Sequence, residues 1–366
     1  MITQNMLIGY GIGEVADLLS MEMVKLGYEV TLITGQTEFF PNEYDLISLD
    51  PLPLPLVNEY WQSHFFTDMR LALPIIKLLK NSDIVITFDP MHFVGALAKL
   101  VYGMPVIMYY FGIVPLGVLA SSTRRAEVLR QQLFWHSSFK FADFIMTNSK
   151  YTWNLLPRNL GKKAIVNYHG VDHLVSSSNG VKQNELKKKL GLNDKKVLFS
   201  IGRFFTPYKG MKKMVKIFNH VRSKRKDVAL LLVGRNSFGK EFERSGGVLV
   251  MTDVPVNFLV ECLVGCDIYC SASLWEGFNI PLVAAQANGK PVVAFNVGAH
   301  SEVLINRKTG FLVGTVEEFE DRLEALIEND ELRKQMGKNA FEHGRTFTWE
   351  SCGKTLGNLI NLRLKK

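Results

Sequence analysis

The stretch SLWEGFNIPLVAAQANGKPVVAFNVGAHSE, Ser273 to Glu302, decides how the rest of the chain is read. Pro281 fits the opening of a helix, because proline is preset for a first turn whose amides lack intrahelical partners. LVAAQANG then closes at Gly289, and Pro291 to Phe295 has the unbroken apolar character of a buried strand. Loop, helix and strand in this order form part of a parallel α/β layer, where a helix start beside the strand ends offers amide donors to a phosphate. Gly277 and Asn279 suit a turn with unusual backbone angles, and Glu276 lies at its mouth. A carboxylate beside a phosphate is costly unless hydroxyl or cationic groups lie between, and a sugar phosphate brings the hydroxyls. The residues leave two readings of Glu276: a ligand to such a sugar, or an acid that favours a helix N-terminus.

Outward from this stretch, apolar runs alternate with helical patterns. Before it, Asp83–Phe88, Pro105–Tyr110, Phe144–Asn148 and Ala164–Tyr168 read as strands of an open, mostly parallel sheet. Tyr28–Thr34 is a further strand, preceded by Gly9, Gly11, Gly13 and a helical pattern over Glu14–Leu26. The G-x-G-x-G spacing misses the third glycine of a dinucleotide fingerprint, and residues 1–8 predict a short or rebuilt first strand. Asp50–Leu56 (DPLPLPL) is too rich in proline for either element and predicts a surface arch.

With 366 residues, the chain suits two domains. The expected division is an N-terminal domain over 1–172, a Ser/Gly-containing linker over 173–193, a second domain over 194–345 and a final helix over 346–366. Residues 1–190 hold 17 basic and 16 acidic side chains and residues 191–366 hold 26 and 19, so the net charge of +8 belongs mainly to the second half. Nine basic residues fall between Arg203 and Lys226 without an acid; a helix face in water, a phosphorylated ligand or an anionic membrane surface would each suit them. Nucleic acid is not an expected partner, since Phe204, Phe205 and Tyr208 belong to a turn and do not interleave with the basic helix. Cys262, Cys266, Cys270 and Cys352 show neither metal-ligand nor disulfide spacing and read as reduced, buried thiols, which points to a cytoplasmic location. No signal peptide is visible, and Gly103, Pro105, Gly112, Pro115 and Gly117 break the uncharged run Leu100–Ser122 into a strand and a loop.

The second domain opens on Lys196–Ile201, a strand that runs into Gly202, Arg203, Pro207, Lys209 and Gly210, with a helix from Met211. A strand, a glycine turn and two cations before a helix make a diphosphate clamp: Arg203 supplies a planar fork of donors and Lys209 a mobile point charge. Val228–Gly234, Val248–Val254 and Ile268–Ser271 continue the sheet, and Thr309–Val313 reads as an edge strand before an acidic helix over Val316–Asn329.

SLWEGFNIP with PVVAFNVGAHSEVL resembles the signature of retaining GT-B glycosyltransferases of family 4, and GRFFTPYKG resembles that family's G-R-x(5)-K-G. The likeness extends over almost the whole chain. It implies an α/β fold of two Rossmann-like domains whose parallel sheets face each other across a cleft, with the last helix returning to the first domain through Phe347 and Trp349. It also implies a nucleotide-sugar donor, a glycan or lipid-linked acceptor, and no metal or cofactor. Glu276, Arg203 and Lys209 carry over as catalytic, and Gly13, Gly202, Gly234, Gly277, Phe278, Asn279, Ile280 and Pro281 as donor-binding. Three departures matter. Ala284 replaces a second Glu that holds ribose, with Asn288 one turn on as a substitute; Phe111 precedes Gly112 where the family has His; and NYHGVD carries His169 for Asn, which reads as structural.

The leading reading is therefore a metal-independent glycosyltransferase, peripheral at the membrane if its acceptor is a lipid, with Trp61 and the uncharged loop after Tyr110 as contacts. The alternative is a degenerate GT-B protein that binds a sugar nucleotide or partners another glycosyltransferase. A dehydrogenase fits the layers but lacks the glycine fingerprint and an acid after Thr34.

Overall fold

The apolar runs of the sequence become the strands of two parallel sheets. The coordinates are a computed structural model describing all residues except 4, 7–10, 38–39, 50–62, 119–121, 177–182, 205, 235–236 and 365–366. The chain divides into two units, Met1–His169 with Trp349–Lys366 and Gly170–Thr348. Asp50–Leu56, Gly9 and Trp61 lie outside the described residues.

In the first unit, Val85–Phe88, Val106–Tyr110, Phe144–Thr147 and Ala164–Val166 form a four-stranded sheet in sequential order. Thr31–Thr34 pairs with Asp45–Ser48, and Ile2 joins the two groups, bridging Ile33 on one side and Thr87 on the other. The expected short first strand is thus split: the buried Ile2 donates its N–H to Ile86 O at 2.9 Å and accepts from Phe88 N at 3.0 Å, and the two-residue strand Asn5–Met6 pairs with Gln36–Thr37. The first helix, Gly11–Lys25, begins earlier than its apolar pattern, so Gly13 lies inside its first turn.

The helix Trp349–Leu364 belongs to the first unit. Gly353 sits against Glu22, where an added Cβ would come within 2.8 Å of the Glu22 Cβ, and Tyr28 Oη donates to Gly357 O at 3.2 Å. Asn167 links this helix to the sheet, donating to Cys352 O at 3.1 Å and to Tyr109 Oη at 2.6 Å. Trp349 lies 5.9 Å from the His169 ring.

The second unit is a six-stranded parallel sheet in the order Val248–Thr252, Val228–Gly234, Lys196–Ile201, Ile268–Ser271, Val292–Phe295, Gly310–Val313. The chain starts in the middle, builds outward on one side and then returns to build the other. Order therefore reverses between Lys196–Ile201 and Ile268–Ser271, and in open α/β sheets ligands sit in the crevice at the carboxyl ends of such neighbours.

Helix Met211–Lys224 buries Met211, Met214, Ile217, Phe218 and Val221 against this sheet and turns its basic face outward. That face meets the acidic helix Val316–Glu328: His220 Nδ1 lies 2.6 Å from Glu320, Lys224 Nζ 2.7 Å from Glu324 and Arg225 3.3 Å from Glu328. The C-terminal end of the basic run thus forms one side of a short ladder of ion pairs. Such exposed pairs contribute little individually.

All four cysteines are free and buried. Burial pushes the Cys262 and Cys266 thiols up to about 12, away from the thiolate form that reacts. A thiol reagent should accordingly label none of the four in the folded protein and all four after denaturation, which a colorimetric titration reads directly. Among the described residues, no helix is long and apolar enough to cross a membrane.

Candidate functional site

Two segments leave the sheet side by side at the switch point, and their backbones touch. After Lys196–Ile201 the chain passes Gly202 and Arg203 and closes a single 3-10 turn, Pro207–Lys209. After Ile268–Ser271 it runs through Ala272 to Glu276. Leu274 N donates to Tyr208 O at 2.7 Å. Gly210, at φ 69°, lies so close to Ala272 that an added Cβ would stand 1.9 Å from its carbonyl oxygen. The glycine of the expected clamp is thus needed for approach as well as for backbone angle. Gly202 and Gly234 meet in the same way: a Cβ on Gly234 would fall 2.3 Å from Gly202 O.

This apposition brings Lys209 onto Glu276. Its Nζ lies 2.9 Å from each carboxylate oxygen, across 67 residues of sequence. Arg203 Nη2 donates to Tyr208 Oη at 3.3 Å, and the Tyr208 ring meets Trp275 edge-on at 5.8 Å. Ser273 Oγ donates to Glu276 Oε1 at 2.7 Å. Burial works to raise the Glu276 carboxyl, but the Lys209 ammonium and the donated hydrogen bonds bring it below the usual 4.5.

A carboxyl whose folded pKa is depressed stabilises fully above its unfolded value and loses that contribution as pH falls through the folded one. The difference in unfolding free energy between the protein and Glu276→Gln should therefore be flat from neutral pH down to about 5. It should shrink only below the ordinary carboxyl value of 4.5, as measured by denaturant titration along a pH series.

The helix that follows spans Ile280–Ala287. Its N-cap is Asn279, at φ 75° and ψ 68°, with Oδ1 accepting from Leu282 N at 3.2 Å. Gly277 is not in the left-handed region; Asn279 alone takes the unusual angle there, and Gly298, φ 55°, takes it on the facing loop. Pro281 has no N–H to offer and Leu282 is capped, so Ile280 is the first-turn amide with no intrahelical partner. The Phe278 ring is buried 5.8 Å from Phe347, which takes its side chain out of reach of a ligand. Gly13 is buried in the first unit's opening helix.

The departures from the family pattern also take definite positions. Ala284 is fully buried. Asn288 is engaged within the second unit: its Nδ2 donates to Leu174 O and Ala284 O, both at 2.8 Å, and its Oδ1 accepts from Ser176 N at 3.1 Å. Phe111 stacks on His169 at 5.4 Å, and its N–H donates to Asp89 Oδ2 at 2.9 Å. Burial lowers the His169 imidazole to about 3, so it stays neutral in a packing role.

Sequence reasoning missed Tyr208, Trp275, Ser271, Gly298 and His300. His300 is fully buried, its Nδ1 is 2.7 Å from Phe295 O and its Nε2 is 2.8 Å from Asn279 Nδ2. Nothing in its spacing from Asn279 marks it, because the contact joins segments that follow two neighbouring strands.

Solved structures share this architecture. Sucrose-phosphate synthase from Thermosynechococcus elongatus superposes with a TM-score of 0.82 at 17% identity, covering 96% of this chain and 93% of that one. Anabaena HepE, solved in complex with UDP and glucose, gives 0.75 at 18% identity over 98% of both chains. The fold is the GT-B fold, and its two parallel-sheet units are those of a GT-B glycosyltransferase. Residues 10–173 match the profile described as Glycosyltransferase Family 4 and residues 182–343 that described as Glycosyl transferases group 1. The chain belongs to this family of glycosyltransferases. An uncharacterized glycosyltransferase of Methanocaldococcus jannaschii is 27% identical over 278 residues, 72% of this chain and 70% of the relative.

Proposed function

We propose that the second unit binds a nucleotide-sugar donor at the switch point and that the enzyme transfers the sugar, with retention, to a glycan or lipid-linked acceptor. The observation that carries this is the Lys209–Glu276 contact, 2.9 Å to both oxygens, at the start of a helix. A diphosphate sugar presents anionic oxygens next to hydroxyl groups, and a cation beside a carboxylate is the matching surface. Lys209 and Arg203 take the diphosphate; Glu276 takes sugar hydroxyls. When the bond between the sugar's anomeric carbon and the phosphate oxygen breaks and the acceptor oxygen bonds that carbon, charge grows on the departing diphosphate, which also receives the acceptor's proton. In this reading the two cations and the Ile280 amide receive that charge, and donors set in advance for developing charge lower a barrier. The family resemblance supports retention, and the HepE complex with UDP and glucose supports the donor class.

A second reading, a sugar-nucleotide binder without turnover, draws on Ala284 and the engaged Asn288, which leave this helix without a ribose ligand. A panel of nucleotide sugars, followed by calorimetric binding and by release of nucleoside diphosphate, separates the two. Binding with turnover is expected; binding without turnover favours the second reading, and no binding of any donor overturns both.

A further inference from the structure

We propose that His300 is a positioning residue of this site, aiming the Glu276 carboxylate through a relay of Asn279, Ser271 and Ser273. The inference rests on the reading that Glu276 faces the donor sugar. Every hydrogen in the relay has one possible direction. The Phe295 carbonyl can only accept, so His300 Nδ1, at 2.7 Å, carries the proton and Nε2 is left as an acceptor. Nε2 takes a hydrogen from Asn279 Nδ2 at 2.8 Å. The orientation of the Asn279 amide is independently demanded by Leu282 N, which donates to its Oδ1 at 3.2 Å.

The second Asn279 hydrogen goes to Ser271 Oγ at 3.3 Å, Ser271 donates to Ser273 Oγ at 3.3 Å, and Ser273 donates to Glu276 Oε1 at 2.7 Å. Each member is buried. The loop carrying His300 also holds the Glu276 backbone, since Ala299 N donates to Glu276 O at 3.0 Å. Burial lowers the imidazole's pKa, which keeps Nε2 free of a second proton. His300 makes no hydrogen bond to either cation; it reaches the site through Asn279, which caps the helix and leads by way of the two serines to Glu276.

The test compares His300→Leu, which removes the acceptor, with His300→Gln, whose amide oxygen can receive the Asn279 hydrogen. His300→Leu should lower kcat at saturating donor by roughly ten- to a hundredfold, the scale of a reacting group misplaced by about an ångström. Nucleoside diphosphate affinity should stay within about threefold, because the diphosphate is held by Arg203 and Lys209, and His300→Gln should recover most of kcat. A crystal structure of His300→Leu should show the Glu276 carboxylate turned away from Lys209. Unchanged kcat, equal losses in both variants that track a falling melting temperature, or a Glu276–Lys209 pair still at 2.9 Å would overturn the proposal. Should the unaltered protein itself turn over no nucleotide sugar, the functional reading fails, while the crystal structure still decides whether His300 aims Glu276.

Discussion

Lys209→Ala is expected to abolish most transfer and to destabilise the second unit at the same time. Removing one preorganised donor to developing charge costs about two to three orders of magnitude in kcat, and Arg203→Ala in addition should bring the rate near background. The stability effect arises because Glu276 is left behind: its side chain is 7% exposed and the Lys209 side chain 19%, so the pair is largely out of water. Breaking such a pair by deleting one partner costs about 3–5 kcal/mol, most of it the charge stranded without compensation. The cycle that isolates this effect uses Lys209→Met, Glu276→Gln and the double variant. The double variant should be more stable than Lys209→Met alone, because no buried charge remains, and it should be as inactive. Denaturant unfolding of the three variants measures the first point and nucleoside diphosphate release the second. A Lys209→Met variant as stable and active as the unaltered enzyme would remove Lys209 from the site.

Gly298→Ala is expected to have the other large effect, although Gly298 touches no ligand in this account. Its φ of 55° is one that L side chains resist, and an added Cβ would lie 2.0 Å from the Glu276 carbonyl oxygen and 2.9 Å from its nitrogen. What it meets is backbone, so nothing small can swing aside. Strain and overpacking are each worth about 1–3 kcal/mol, and relief must come from moving Glu276 off Lys209. Two controls bracket the result. Gly202→Ala meets the terminal methyl of Met211 at 2.5 Å, which can rotate, and Gly289→Ala has nothing nearer than 3.7 Å and carries only the backbone penalty of φ 74°. Melting temperatures and transfer rates should rank Gly298→Ala well below both. Equal losses in all three would show that the Glu276 backbone tolerates displacement.

Much of the second unit was legible in its residues. Lys196–Ile201, Val228–Gly234 and Ile268–Ser271 lie where continuous apolar runs placed them, because strands covered on both faces need apolar side chains at every position. The helix start at Met211 was legible too, since Gly210 must turn the chain into it. The first strand was harder, since a single residue, Ile2, does the bridging and one residue has no period. Asn279 was legible as a turn residue but not as the centre of a hydrogen-bonded relay, because its partners Ser271 and His300 come from a strand end and a distant loop. The partners of Asn288 were not legible either: one turn along the helix from Ala284, it bonds to Leu174 and Ser176, which its position on the helix could not show. The basic run 203–226 suited a helix face in water as well as an anionic ligand or membrane, and its end is met by the acidic helix: His220, Lys224 and Arg225 pair with Glu320, Glu324 and Glu328.

The most direct test of the central claim is a crystal structure of the enzyme with a nucleoside diphosphate sugar bound. The account predicts diphosphate oxygens within hydrogen-bonding distance of Lys209 and Arg203, with Glu276 released from Lys209 and accepting from sugar hydroxyls. A ligand seated elsewhere, with Lys209 still 2.9 Å from both Glu276 oxygens, would contradict it.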